Sequence, residues 1–187
     1  DISRSLGGIG FNRIRLIIVS VMLITYASID NTWSSINIEF LITIVISGFI
    51  GVFLGDTLLF LALQRIGPRR NNILFALAAP FTIILNILIL NEKMYLFEFV
   101  GCLFVFIGVV VAITYGTKKN NPHRWEKIEG SIKIGIIFGI LAALGQAIGI
   151  IMMKPILNAG ADPIASAAIR TTISAILLSF TYFSKHQ

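Results

Sequence analysis

The sequence predicts an all-α integral membrane protein with six transmembrane helices. Hydrophobic residues make up 56% of the 187 residues and charged residues only 13%, whereas a soluble domain has about 25% charged residues. The mean hydropathy is +0.89. Six apolar segments are each close to the roughly 20 residues that a helix needs to cross a bilayer. Their uniformly apolar composition differs from the alternating pattern of a membrane β-barrel.

Polar residues and helix breakers separate the six segments. The predicted spans are Phe11–Ile29, Phe40–Leu63, Ile73–Leu90, Leu96–Tyr115, Ile134–Met153 and Ile164–Phe183. Gly67-Pro68 ends the second span, Asn91-Glu92-Lys93 the third and the polar stretch Gly116–Ser131 the fourth. Glycine pairs four residues apart, Gly51 and Gly55, Gly135 and Gly139, and Gly145 and Gly149, predict a compact bundle in which helix backbones approach closely.

Basic residues concentrate on one side of the membrane when the loops are assigned to alternate sides. Those on the richer side are Arg4, Arg65, Arg69, Arg70, Lys118, Lys119, Arg124, Lys127, Lys133 and Lys185. The other side holds only Lys93 and Lys154, with Arg13, Arg15 and Arg170 placed within helices. The positive-inside rule therefore predicts that the richer side, with the Gly116–Lys133 loop, is cytoplasmic.

Asp56 is the first candidate for function. An ionisable group in the hydrocarbon costs several kcal/mol, so it usually faces a cavity or a partner. Asp56 lies deep in the second span, and Phe60 and Gln64 follow at four-residue intervals on the same helical face. Its carboxylate is suited to bind a cationic solute, to exchange a proton or to pair with an arginine. A structural ion pair and a position nearer the interface are the alternatives.

Four further residues inside the spans are candidates for a solute pathway. Arg170 can attract an anionic group or neutralise Asp56, but near the start of its helix it can also extend to the interface. Asn86 and Gln146 lie in the middle of their spans and can contact a solute or bond a neighbouring helix. Pro80 interrupts the third span and predicts a kink, either for packing or as a hinge with a free carbonyl.

The chain lacks the motifs of several other protein classes. It has no phosphate-binding P-loop, no zinc-ligand motif and no nucleophile elbow. His123, His186 and Cys102 stand alone, and no aromatic residues interleave with the basic ones as a nucleic-acid surface requires. We therefore expect no enzyme, no metal, no cofactor and no nucleic-acid partner. The expected partners are the lipid bilayer and a small-molecule solute, with any coupling ion left open.

The first and last spans align with each other at an offset of 155 residues. Ile14-Arg15 falls on Ile169-Arg170, and Ile18 falls on Ile173. Four spans lie between them, so a repeat unit has five helices and its two copies have opposite orientations. Inverted repeats of this kind are common in transporters.

The middle of the chain resembles the EamA-like members of the drug/metabolite transporter superfamily. The residues that carry the resemblance are Gly55–Gly67, Ala79–Thr82, Leu90–Lys93, Gly101 and Gly108. The shared features are an Ala-Leu helix end, a proline within a helix, a turn containing glutamate and a following helix with glycines. Asn91 stands before Glu92 where the family usually has glycine.

The resemblance implies a ten-helix bundle of two five-helix inverted repeats. Residues 1–116 would form helices two to five of the first repeat, 117–132 a polar loop, and 133–187 the first two helices of the second repeat. Since the first residue is Asp1 and not methionine, we expect the sequence to be a piece of a longer protein. Family members that start inside would place the loop outside, whereas the charges of this chain place it inside.

The resemblance also implies a function. It is secondary transport of a small metabolite or drug by alternating access, with export as a common direction, in a bacterial or archaeal plasma membrane. The pathway would be lined by residues such as Asp56, Asn86 and Gln146. The alternative is a membrane assembly or interaction subunit without transport.

Overall fold

Helices form nearly all of the described structure. The computed structural model describes residues 7–114 and 131–183. The helical elements are α1 (Gly7–Ile29), a 3-10 turn (Thr32–Ser35), α2 (Ile38–Ser47), a π-helical segment (Gly48–Leu54), α3 (Gly55–Phe75), α4 (Ala78–Leu90), α5 (Leu96–Thr114), α6 (Ile132–Asn158) and α7 (Pro163–Phe183). No strand occurs within these two ranges, so the all-α prediction is confirmed for the described chain.

Five helical segments of the described chain are long and apolar enough to cross a membrane. They are Ile9–Ile29, Ile38–Phe75, Leu96–Thr114, Ile132–Asn158 and Pro163–Phe180, and α4 is a shorter apolar helix. Large apolar side chains cover the outside of the bundle, among them Phe97 at 89% exposed and Leu96 at 74%. A continuous apolar surface of this extent suits contact with lipid and is rare on a soluble monomer.

The chain reverses direction at Gly67, inside α3. Its φ of 78° and ψ of 165° break the helix, and glycine adopts a positive φ without a Cβ clash. Before the break, Ile66 packs against Gly135 near the start of α6. After it, Leu74 packs against Gly139, one turn further along α6. Therefore α6 runs antiparallel to the chain before Gly67 and parallel to the chain after it.

The third predicted span consists of two helices separated by a turn at Ala76 and Leu77. The Ala79 N–H donates to the Ala76 carbonyl at 3.4 Å, because Pro80 has no N–H to offer it. Pro80 is fully buried and lies in the first turn of α4, where proline is tolerated. Together with residues 68–75, α4 makes a sixth helical crossing of the bundle, so the prediction of six crossings is confirmed in part.

Glycines bring α6 into backbone contact with the segment that joins α2 to α3. A Cβ added to Gly149 would lie 2.8 Å from the Cα of Gly51. A Cβ on Gly145 would lie 3.2 Å from the carbonyl oxygen of Ile50. The Ser47 hydroxyl donates to the Gly149 carbonyl at 2.8 Å across the same contact. The close approach predicted from the glycine spacing is present here.

The helix between α2 and α3 widens into a π-helix from Gly48 to Leu54. Segments of this kind are rare, and they occur often at functional sites. The Gly48 carbonyl accepts a hydrogen bond from the Ser174 hydroxyl of α7 at 3.1 Å. The π-helix thus contacts α6 on one side and α7 on another.

The helices α1 and α7 pack against each other in opposite directions. Leu16 packs with Ala175 and Leu178 at one level. At the far end, the Asp162 N–H donates to the Ser35 hydroxyl at 2.9 Å. Opposite orientation of these two helices is a necessary condition for the inverted repeat that the sequence predicts.

The described basic residues of the loops lie at opposite ends of the bundle. Arg65 contacts Gly135, two residues from Lys133, and we call this end the Arg65 end. Lys154 binds Glu92, the neighbour of Lys93, and we call this end the Lys154 end. The polar loop predicted over 117–132 falls mostly outside the described residues.

The glycine contact gives a first prediction. Gly149→Ala should destabilise the protein by about 1–3 kcal/mol, because the new methyl group meets a backbone atom that cannot move aside. Gly101→Ala is the matched control, since nothing lies within 4 Å of its Cβ position. The midpoints of thermal unfolding in lipid nanodiscs measure the difference. Equal midpoints for the two variants would show that α6 does not need this contact.

Candidate functional site

An ion pair between α1 and α3 is the centre of the candidate site. Arg15 of α1 donates from Nη2 to Oδ2 of Asp56 on α3. Asp56 lies ten residues before Ile66, or about 15 Å along the helix at 1.5 Å per residue, which is half the thickness of the hydrocarbon core. The Asp56 side chain is 13% exposed and that of Arg15 43%. The carboxylate is therefore the buried partner, and the guanidinium lies over it.

Two phenylalanines accompany the ion pair. The Arg15 guanidinium carbon lies 5.8 Å from the centre of the Phe60 ring. The Phe11 and Phe60 rings pack with their centres 6.2 Å apart. Each ring lies four residues from a charged partner on its own helix, the spacing that places side chains on one face. The rings border the pair, and the face of Phe60 attracts the arginine cation.

The helix α6 approaches the site through Gly55. The Cβ position of Gly55 lies 3.7 Å from the Gln146 backbone nitrogen and 3.7 Å from the Ala142 carbonyl oxygen. A Cβ at position 55 would therefore be in ordinary van der Waals contact with the α6 backbone. Of the predicted candidates, Gln146 is thus the one whose helix position lies beside Asp56.

The ion pair can act as an exchangeable contact. Arg15 is the only basic side chain among the described residues that is shown to bind the Asp56 carboxyl group. A solute cation or a proton that reaches Asp56 competes directly with Arg15. When either one replaces Arg15, α1 and α3 lose their ion pair and keep the packing of Phe11 against Phe60. The geometry therefore links occupancy of Asp56 to the packing of two helices.

A second polar cluster lies at the Lys154 end. Lys154 Nζ donates to Glu92 Oε2 at 2.6 Å and to Asn86 Oδ1 at 3.1 Å. The Asn86 amide also donates to the same Glu92 oxygen. Hydrogen bonds from Lys154 and then from Asn86 lower the pKa of Glu92. The structure thus places Asn86 in a cluster that joins the end of α4 to α6, away from Asp56.

The remaining candidates lie apart from the ion pair. Arg170 lies against Gly51 and Gly149 and does not contact Asp56. The role of neutralising Asp56, which the sequence offered to Arg170, belongs to Arg15. Gln64 is exposed on α3 and makes no hydrogen bond to another described residue.

Sequence reasoning misses Arg15 as a site residue. Its position near the start of a predicted span suggests an arginine that extends to the interface. A signal was available in the spacing, because Arg15 follows Phe11 by four residues on α1 just as Phe60 follows Asp56 on α3. The Ile-Arg pair that recurs at Ile169-Arg170 also marks this position. Neither signal identifies the partner across the two helices.

Comparison with known proteins decides the family. The sequence pattern of the EamA-like transporter family matches residues 2–114, which is more than half of the chain and includes both members of the ion pair. This chain belongs to the EamA-like transporter family. Its apolar helices and this membership together make it an integral membrane protein of a transporter family. No curated protein and no solved structure matches it.

The EamA-like chain offers no evident metal site in its described part. Within residues 7–114 and 131–183, no group of three or more His, Cys, Asp or Glu side chains is arranged to hold a metal ion. Asp56 and Glu92, the acids of the two polar clusters, each bind a basic side chain.

The ion pair gives a second prediction. Asp56→Asn and Arg15→Gln should each lower stability by about 1–3 kcal/mol, because each leaves a charge in the membrane without its partner. The double variant should lose clearly less than the sum of the two losses. Thermal unfolding of all four proteins in nanodiscs completes the cycle. Additive losses would contradict a direct interaction between Arg15 and Asp56. The same cycle for the more exposed Glu92–Lys154 pair should give a smaller coupling free energy.

The Glu92 cluster gives a third prediction. Because its pKa is lowered in the folded protein, Glu92 stabilises the fold above its ordinary pKa of 4.5, and the contribution is lost as the pH falls through the lowered value. Wild type should unfold at a higher temperature than Glu92→Gln at pH 7, and the two midpoints should converge in acid. A difference that stays constant down to acid pH would show that the charge of Glu92 is not responsible.

Proposed function

We propose that this chain forms part of a secondary transporter that moves a small metabolite or drug by alternating access. The observation that carries the proposal is the Arg15–Asp56 ion pair, an exchangeable charge pair halfway through the bundle in a member of a transporter family. An ion pair at this depth is costly, and such groups commonly mark solute or proton pathways. A proton or a cationic solute at Asp56 displaces Arg15 and breaks the ion pair between α1 and α3.

The overall architecture that we propose is the ten-helix inverted repeat. Residues 1–116 then belong to the first repeat, 117–132 to the loop, and 133–187 to the second repeat. The opposite directions of α1 and α7 support this arrangement. Rocking of one repeat against the other would open the pathway to each side in turn.

The second polar cluster suits a gate in this scheme. Lys154, Glu92 and Asn86 hold the α4 end and the following turn to α6 at one face of the membrane. Such a pair is partly exposed and weak, so it can open and close at little cost. We propose that this end faces outward, because the described basic residues favour the Arg65 end as cytoplasmic. We also propose a bacterial or archaeal plasma membrane as the location and export as the direction.

A non-transporting assembly or interaction subunit is the rival function. It requires no exchange at Asp56, so the ion pair would serve packing alone. Under that reading an apolar pair in place of Arg15 and Asp56 preserves function. Under the transport proposal the same replacement abolishes flux even if the protein folds.

Flux through reconstituted vesicles gives the fourth prediction. The full-length protein in proteoliposomes should move at least one probe from a set of labelled L-amino acids, short carboxylates and ethidium when a proton or solute gradient is imposed. Asp56→Asn should lower that flux about tenfold or more, since an amide holds neither the charge nor the exchangeable proton. Glu98→Gln is the matched control, because within the described residues Glu98 accepts a hydrogen bond from the N–H of Tyr95 at the start of α5 and binds no basic side chain.

The outcomes separate the two functions. Flux that survives in Glu98→Gln and is lost in Asp56→Asn supports the transport proposal. Full flux in Asp56→Asn removes Asp56 from the mechanism. Absence of gradient-driven flux for every probe, in a protein that unfolds cooperatively, favours the assembly role.

A further inference from the structure

The Arg170 side chain fills a space that glycines leave open at the centre of the bundle. The Cβ position of Gly48 lies 2.9 Å from the Arg170 Cα. The Cβ positions of Gly51 and Gly149 lie 3.1 and 3.0 Å from its Nη2 atom. Three glycines on two helices thus surround one arginine, and a methyl group at any of them would displace it.

The direction of the side chain excludes an interfacial role. Arg170 is seven residues into α7, nearer the Lys154 end than the Arg65 end. Its Cα lies beside Gly48, but its guanidinium lies beside Gly51, which is further from the Lys154 end. The side chain therefore points deeper into the bundle and away from the nearer interface, opposite to a snorkelling arginine.

The Arg170 guanidinium has no counter-ion among the described residues. Its Nε is buried and makes no hydrogen bond, and its side chain forms no ion pair in the described ranges. The intramembrane carboxylate of Asp56 is already bound by Arg15. A half-buried cation without an anion is unfavourable in a medium of low dielectric, so an anion that reaches it gains a strong partner.

A second unsatisfied donor lies on the same face of α7. Ser166 is four residues before Arg170, one helical turn away, and is 2% exposed. Its hydroxyl makes no hydrogen bond in the described structure. By contrast, Ser174, four residues after Arg170, donates to the carbonyl oxygens of Gly48 and Arg170. The part of this face that includes Ser166 and Arg170 carries two donors that lack an acceptor.

We propose that Arg170 recognises the carboxylate group of a small anionic solute where α7 meets the π-helix and α6. Arginine presents its donors in a planar fork that matches a carboxylate with two parallel hydrogen bonds. The glycines keep the space around the fork narrow, which favours a small planar anionic group. The inference deepens the proposed transport function and rests on it, since it names the class of solute.

Recognition at Arg170 complements exchange at Asp56. Asp56 lies nearer the Arg65 end than Arg170, and Gly55 and Gly51 place both residues along the same contact with α6. A solute that carries a carboxylate would bind the guanidinium of Arg170. The carboxyl group of Asp56 would then be available to a proton or to an amine of the solute. Arg15 and Arg170 occupy corresponding places in the sequence repeat, but only Arg15 has a carboxylate of the described chain.

Chemical modification of the full-length wild-type protein in nanodiscs gives the fifth prediction. The reagent is 2,3-butanedione, which modifies arginine, and the ligand probe is butyrate, which has the same number of carbon atoms. At a butyrate concentration about ten times its dissociation constant, modification of the Arg170 peptide should slow about tenfold. Butyramide, the neutral analogue, should give no protection. The Arg65 peptide is the internal control, since Arg65 donates to the Leu61 carbonyl and faces Phe138.

Three results would overturn the inference. If butanedione does not modify Arg170 in the absence of butyrate, no molecule of this size reaches the guanidinium. This result is expected if a carboxylate elsewhere in the full chain binds Arg170. Equal protection by butyrate and butyramide would show that charge is not recognised. Equal protection of Arg65 would show general screening by salt.

A thermal measurement with variants supports the modification experiment. Butyrate should raise the unfolding midpoint of wild type and Arg65→Gln above the value in butyramide, and Arg170→Gln should lose that difference. If Arg170→Gln does not fold, the wild-type modification rates alone decide the question. Gradient-driven flux without protection of Arg170 would sink this inference and leave transport standing. Protection of Arg170 by butyrate, without flux of any probe, would contradict the transport proposal and leave anion recognition at Arg170 standing.

Discussion

The close contact between α6 and the helix around Gly51 is the constraint on which the other features depend. Backbones can approach this closely only where both helices lack side chains, and Gly51, Gly145 and Gly149 meet that condition. Membrane helices gain little from burying apolar surface against one another, so close packing and hydrogen bonds must hold them. The bond from Ser47 to the Gly149 carbonyl adds such a tie. The positions of Asp56 and Arg170 follow from this contact, since both residues adjoin it.

The two intramembrane arginines, Arg15 and Arg170, lie in different surroundings. Arg15 lies at the lipid-facing side with a carboxylate beneath it, which is a neutral arrangement. Arg170 lies among glycines and has no such partner in the described chain. The first arrangement connects α1 to α3, whereas the second is the place where we propose that an anionic solute binds. In the alternating-access transporter that we propose, the first group would stabilise one state and the second would bind the solute.

Much of the fold is predictable from the sequence, because hydropathy and helix breakers act locally. The apolar segments, the reversal at Gly67 and the glycine contacts all follow from short stretches of residues. Pro80 predicts a kink in the third span, and the structure has a full turn at Ala76 and Leu77, because Pro80 has no N–H to donate to the Ala76 carbonyl. The sequence also gave no sign of the π-helix, whose apolar residues suit an ordinary α-helix equally well.

The site was predictable in part. Asp56 stands out because a carboxylate in an apolar run demands an explanation, but its partner depends on how two distant helices pack. Asn86 shows the same limit, since its place beside Glu92 and Lys154 depends on the turn after α4. No periodicity within one helix contains such information. Tertiary packing selects the partner, which is Arg15 where the sequence suggested Arg170.

The π-helix between Gly48 and Leu54 determines how α3 is rotated about its axis relative to α2. Each residue of an α-helix turns the chain by about 100°, and a π turn takes up one more residue than an α turn. Without that extra residue, α3 would be rotated by about 100° relative to α2. Gly55 would then leave α6, and Asp56 would face away from Arg15. The π-helix therefore sets the rotation of α3 relative to α2. With this rotation, α2 contacts α7 and α3 contacts α1 within one continuous helix.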